Sequence, residues 1–77
     1  MKLSIYKLGG KLYEGEATSI NLPTESGQIT VLPHHISLIT HLQKGTAHVK
    51  NGSETHEFPI ISGFAEIKND QVTLLVE

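Results

Sequence analysis

Glu14-Gly15-Glu16, then Leu22-Pro23-Thr24-Glu25-Ser26-Gly27-Gln28, then Val31-Leu32-Pro33-His34-His35: the reading of this stretch decides the fold. It places two X-Pro steps on either side of a glycine-containing polar turn. Each proline lacks an N–H for a sheet ladder and holds the residue before it in extended geometry. Between the prolines the chain has room for two short strands and one reversal. No helix of ordinary length fits there. The stretch specifies a compact β-module, and none of its residues forms a recognisable reaction centre.

Strand signals continue outward on both sides. Leu3-Ser4-Ile5-Tyr6 alternates apolar and polar, and Gly9-Gly10 offers a turn into Leu12-Tyr13. From Ala17 to Leu22, Ile20 and Leu22 share one face while Ser19 and Asn21 share the other. Ile29 to Leu32 follows the Glu25-Ser26-Gly27 turn. The apolar positions Ile36, Leu38, Ile39 and Leu42 fit either a strand or a single helical turn. Thr46 to Lys50 alternates with Ala47 and Val49 inward. Asn51-Gly52 predicts a type I′ hairpin turn with positive φ at both central residues, leading into a strand from about 54 to 61. Phe64 to Lys68 and Val72 to Val76 form a second hairpin around Asn69-Asp70. In the last strand, Val72-Thr73-Leu74-Leu75-Val76, consecutive apolar residues mean burial on both faces or an outward Leu75 that awaits a partner. The expected fold is all-β: one domain over residues 1–77, a small two-sheet β-sandwich of eight to ten short, mostly antiparallel strands.

Composition limits the function classes. At 77 residues and 38% hydrophobic, with no Trp, two Phe and two Tyr, the core must be built from Ile, Leu and Val. All six cations are Lys, so guanidinium forks for phosphate or guanine are missing and nucleic-acid binding is not expected. The absence of Cys excludes disulfides and thiolate metal sites and suits a reducing compartment. No apolar run approaches a membrane span, and the first residues carry no signal-peptide h-region. A soluble, cytoplasmic protein is expected.

Few residues invite chemistry. His34, His35 and His41 could offer imidazoles to zinc, but adjacent strand residues point to opposite faces and the spacing fits no i, i+4 pair. His48 and His56 lie across the predicted hairpin at positions read as outward and solvated, with a pH-sensitive pair as the lesser reading. Glu14 and Glu16 have the same parity and so share a face, where an exposed acidic surface outweighs a carboxylate acid/base pair. The sequence contains no Gly-x-Ser-x-Gly elbow, phosphate loop or dinucleotide fingerprint. The chain is therefore read as a non-enzyme without catalytic residues, metal or cofactor. An alternative class, a free-standing small-ligand-binding β-sandwich module, would need a concave polar pocket, and four aromatics are few to line one.

The ordered set of motifs resembles the N-terminal domain of the epsilon subunit of bacterial and plastid F-type ATP synthases. The residues that carry the likeness are Glu14-Gly15-Glu16, Leu22-Pro23, Glu25-Ser26-Gly27-Gln28, Val31-Leu32-Pro33-His34-His35, Leu38-Ile39-Thr40, Leu42-Gln43-Lys44-Gly45 and Ser62-Gly63-Phe64-Ala65-Glu66-Ile67. The likeness ends with the hairpin from Asn69 to Leu75. Ser37 stands where that family commonly has Pro, and Ser62 replaces the first Gly of a usual pair. The resemblance implies a non-catalytic rotor subunit that clamps the gamma subunit onto the ring of c subunits. Carried over by position, Glu25, Ser26, Gly27 and Gln28 would contact the c ring, and His35, Leu38, Ile39 and Thr40 would face gamma. The expected location is the cytoplasmic face of a bacterial plasma membrane, peripheral through the complex. The family's C-terminal helical hairpin, with its inhibitory and nucleotide-binding roles, has no counterpart in these 77 residues and is not assigned.

Overall fold

A computed structural model describes residues 1–35 and 37–77; the apolar position Ile36 lies outside the described residues. Nine strands follow one another: β1 Lys2–Lys7, β2 Gly10–Glu16, β3 Ser19–Thr24, β4 Gly27–Val31, β5 Leu38–Leu42, β6 Gly45–Asn51, β7 Glu54–Ile60, β8 Gly63–Lys68 and β9 Gln71–Val76. The ambiguous apolar run before Leu42 is thus a strand where it is described. Hydrogen bonding runs in the order β2-β1-β9-β8-β5-β3-β6-β7, with β4 added on β3. All neighbours are antiparallel except β1 and β9.

This single ladder bends into the two layers of a small sandwich. The bend falls between β5 and β3, which share only the pair Thr24–Leu42. The Gln43 amide donates to the Pro23 carbonyl at 2.9 Å and holds the corner. Gly45 completes it by close approach, since a Cβ there would meet the Pro23 Cβ at 2.8 Å. The Leu22-Pro23 and Leu42-x-x-Gly45 motifs are therefore two sides of one contact. One layer is β2-β1-β9-β8-β5 and the other is β4-β3-β6-β7.

Alternation along each strand fills the space between the layers. Leu3, Ile5, Ala65, Ile67, Val72 and Leu74 from the first layer pack with Ile20, Leu22, Val31, Ala47, Val49 and Ile60 from the second. All are buried, which accords with the expected inward faces of β3 and β6. The largest buried side chains are aliphatic, so shape rather than polar linkage specifies the interior. The open edges β2 and β7 meet through side chains: the Tyr13 ring lies 5.4 Å from His56 and 5.3 Å from Phe58.

Two expectations need correction. His48 opposes Glu57, whereas His56 opposes Val49 and turns toward the core side, where it packs on Tyr13 and Phe58. The two histidines thus occupy opposite faces of the hairpin and cannot pair. The hairpin turn also shifts by one residue. Asn51 and Glu54 are the last pair, and Gly52-Ser53 are central with only Gly52 at positive φ, 63°. That pattern matches a type II′ turn, in which glycine leads. The type I′ pattern occurs instead at Asn69 and Asp70, with φ of 53° and 58°, between the paired Lys68 and Gln71. Asn and Asp tolerate this region because their short polar side chains can satisfy the local backbone.

Candidate interaction surface

The outer face of the first layer is unusually apolar. Phe64 and Leu75 are direct neighbours across β8 and β9, Leu75 pairs with Tyr6 of β1, and His41 of β5 opposes Phe64. Ile39 extends the row one step along β5. Ile39 is 70% exposed, Leu75 54%, Phe64 48% and Tyr6 36%. The His41 and Phe64 rings lie 4.5 Å apart at 46°, which holds Phe64 in place. The Lys11 ammonium caps the patch 5.9 Å from the Tyr6 ring centroid. Contiguous apolar area of this kind, rimmed by charge, is a common mark of an interaction surface. Leu75 is thus outward, the second of the two alternatives open from the sequence.

The acidic turn Glu25-Ser26-Gly27-Gln28 is exposed throughout, but its base is rigid. Thr24 is 1% exposed, and its hydroxyl donates to the Gly27 carbonyl at 2.6 Å while accepting from the Ser26 amide at 3.2 Å. The Glu25 amide reaches the His41 carbonyl at 3.4 Å. The turn therefore presents its polar groups from a fixed frame and abuts the end of the apolar face.

The positions inferred for a second partner separate. Ile39 belongs to the apolar face. Leu38 and Thr40 have the opposite parity, and Leu38 packs against the core. His35 lies beyond β4, at the opposite end of that strand from the acidic turn. There the His34 amide donates to the Asp70 carboxylate at 2.9 Å and the His35 amide to the Leu32 carbonyl at 3.2 Å. His34 takes φ of 68°, so Asp70 stabilises a backbone shape that a non-glycine residue rarely adopts. Tyr6, Phe64 and His41 escaped the sequence reading; aromatics at outward parity on β1, β8 and β5 were the available signal.

The remaining candidates for chemistry resolve differently. Among the described residues there is no group of three His, Cys, Asp or Glu side chains placed to hold a metal ion. Glu14 and Glu16 do share the outer face, opposite Ser4 and Lys2. Lys11 donates to Glu14 at 2.9 Å and Lys2 approaches it at 3.6 Å. The hydrogen bond and charge of Lys11, followed by Lys2, hold the Glu14 carboxyl below its ordinary range. A general acid needs the opposite shift.

These features coincide with a known architecture. The family model described as "ATP synthase, Delta/Epsilon chain, beta-sandwich domain" matches residues 1–77. Relatives named ATP synthase epsilon chain include one from Prochlorococcus marinus strain MIT 9301, 37% identical over 99% of this chain and 57% of its own length. Another, from Halalkalibacterium halodurans, is 38% identical over 88% of this chain and 51% of its own length. The chain thus spans about half the length of the curated relatives it matches. Among solved structures, a chain of the Euglena gracilis mitochondrial ATP synthase (OSCP/F1/c-ring) superposes with a TM-score of 0.89 at 22% identity, covering 96% of this chain and 48% of that one. A chain of the Tetrahymena thermophila central stalk and c-ring assembly superposes at 0.83 with 10% identity, covering 99% and 62%. These two structures support the fold. The sequence matches carry membership, and the chain belongs to the ATP synthase delta/epsilon family as its β-sandwich domain.

Proposed function

We propose that this chain is a non-catalytic rotor subunit of the central stalk of an F-type ATP synthase. It binds the gamma subunit with the apolar outer face of β1, β9, β8 and β5, and meets the c ring with the acidic turn Glu25 to Gln28. By gripping both, it couples proton or sodium flow to ATP synthesis without handling a substrate. It works at the cytoplasmic face of the bacterial plasma membrane, attached through its complex.

The observation that carries this reading is the pairing of an aromatic-aliphatic patch with a rigid polar turn at its end. A rotor clamp must transmit shear, and a sandwich does so through continuous ladders and interlocked side chains. Burial of roughly 800 Å² on the gamma side would be an ordinary stable interface. The test is co-purification of the tagged chain with gamma alone, with the c ring alone and with both. Retention by both partners supports the reading; failure to retain either, under conditions in which the other subunits assemble, refutes it.

A further inference from the structure

The apolar face and the acidic turn are joined by a groove of about 600 Å³. Its floor includes Tyr6, Phe64 and Leu75, and its border includes Glu25, Glu77 and Lys7. The floor is continuous with the patch assigned to gamma, while the border places two carboxylates against one ammonium. Glu77 is held in position: the Ser62 hydroxyl donates to one of its carboxylate oxygens at 2.8 Å, and the Glu77 amide donates to the Ser62 carbonyl at 3.0 Å. Its second carboxylate oxygen receives no hydrogen bond from Ser62.

We infer that this groove is a socket for an arginine side chain, flanked by apolar residues, on the protein partner that covers the patch; the inference rests on the proposed function. The chemistry follows from the lining. A guanidinium is planar, weakly hydrated and able to stack on an aromatic face while its fork engages carboxylates. Its aliphatic stem would lie on Leu75 and Phe64, and its donors would reach the Glu77 oxygen left by Ser62. A purely apolar knob would leave the two acidic border residues partly desolvated with only Lys7 to offset them, which is costly. Lys7, on the same border, repels the incoming cation and so weakens the socket.

The socket converts a flat apolar contact into a keyed one. An arginine seated at one end of the patch fixes the rotational register of the partner, which apolar contact alone specifies poorly. It also places a charge-assisted bond beside the turn assigned to the ring, where the two partners of the clamp would come closest.

The experiment titrates purified gamma subunit into this chain by calorimetry at about 50 mM and about 500 mM salt, where the Debye length shrinks severalfold. Glu77→Gln should bind about tenfold more weakly at low salt, with the gap closing at high salt. Lys7→Gln should bind more tightly at low salt, a change of opposite sign that misfolding cannot produce. Melting curves of both variants should match the parent. Equal low-salt affinities for the parent, Glu77→Gln and Lys7→Gln would overturn the socket while leaving the clamp reading intact. Absence of any binding by the parent would overturn the clamp reading itself, and the socket with it.

Discussion

Thr24→Val isolates the part of the acidic turn that the sequence hides. The substitution keeps the volume and branching of the side chain in a site that is 1% exposed, and deletes only the hydroxyl. Two hydrogen bonds disappear, one to the Gly27 carbonyl at 2.6 Å and one from the Ser26 amide at 3.2 Å. At roughly 1 kcal/mol each, less the relief of no longer burying a hydroxyl, the net cost is about 1–2 kcal/mol. For a domain of this size each kcal/mol moves the melting midpoint by about 4–8 °C, so a fall of roughly 5–15 °C is expected. Thermal unfolding followed by circular dichroism gives that number. Amide exchange at Ser26 reports whether the turn has come loose. Thr24→Ser is the companion variant: it loses a buried methyl but keeps the hydroxyl, so it should melt lower while Ser26 stays protected. In Thr24→Val, affinity for the c ring should fall even at temperatures where the domain remains fully folded, because a mobile turn must be ordered on binding. An unchanged melting midpoint together with unchanged Ser26 exchange would refute the reasoning that this hydroxyl builds the turn.

Three further predictions concern the frame and its surface. Gly63→Ala would drive a Cβ into the Leu75 carbonyl oxygen, a backbone atom that cannot step aside; a loss of about 3 kcal/mol, read from denaturant unfolding, is expected. Leu38→Asp, on the core side of β5, should lower the melting midpoint sharply, and gamma binding should fall only in proportion to unfolding. The Glu14 carboxyl should titrate below the ordinary carboxylate range in a carbon-detected NMR experiment, and Lys11→Met should move it back upward. With a folded-state value depressed below the unfolded one, the favourable interaction is present at neutral pH and is lost as the pH falls through the folded-state midpoint. At an exposed site its effect on stability is small.

Local patterning was legible because strand parity is a local property. Ile20 and Leu22, or Ala47 and Val49, declare their buried face by spacing alone. The Asn69-Asp70 reversal was likewise readable from composition. What escaped depends on register between distant segments. His56 looks outward in isolation, but a two-residue turn sets it opposite an inward residue of β6, Ala47 with Asn51-Gly52 central and Val49 in the observed register, so only the pairing reveals its face. The apolar face is assembled by the parallel pairing of β1 with β9 and the antiparallel pairings of β9 with β8 and β8 with β5. No window of sequence contains Tyr6, Ile39, Phe64 and Leu75 together. The motif Leu38-Ile39-Thr40 lies on β5, but a continuous triplet cannot occupy one face of a strand, and only Ile39 lies on the apolar face. Leu42-x-x-Gly45 and Leu22-Pro23 were read as separate marks; the corner contact at Gly45 joins them.

The central claim, that the outer face of β1, β9, β8 and β5 grips the stalk partner, is tested most directly by the affinity of purified gamma subunit for the parent chain and for an Ile39→Asp/Leu75→Asp variant. Both side chains are largely in solvent, so the variant should melt within a few degrees of the parent, since surface changes usually cost little. Loss of at least about a hundredfold in affinity, with folding retained, is the predicted result, because two desolvated carboxylates would sit at the centre of an apolar contact. Parent-like affinity in a folded double variant would contradict the account.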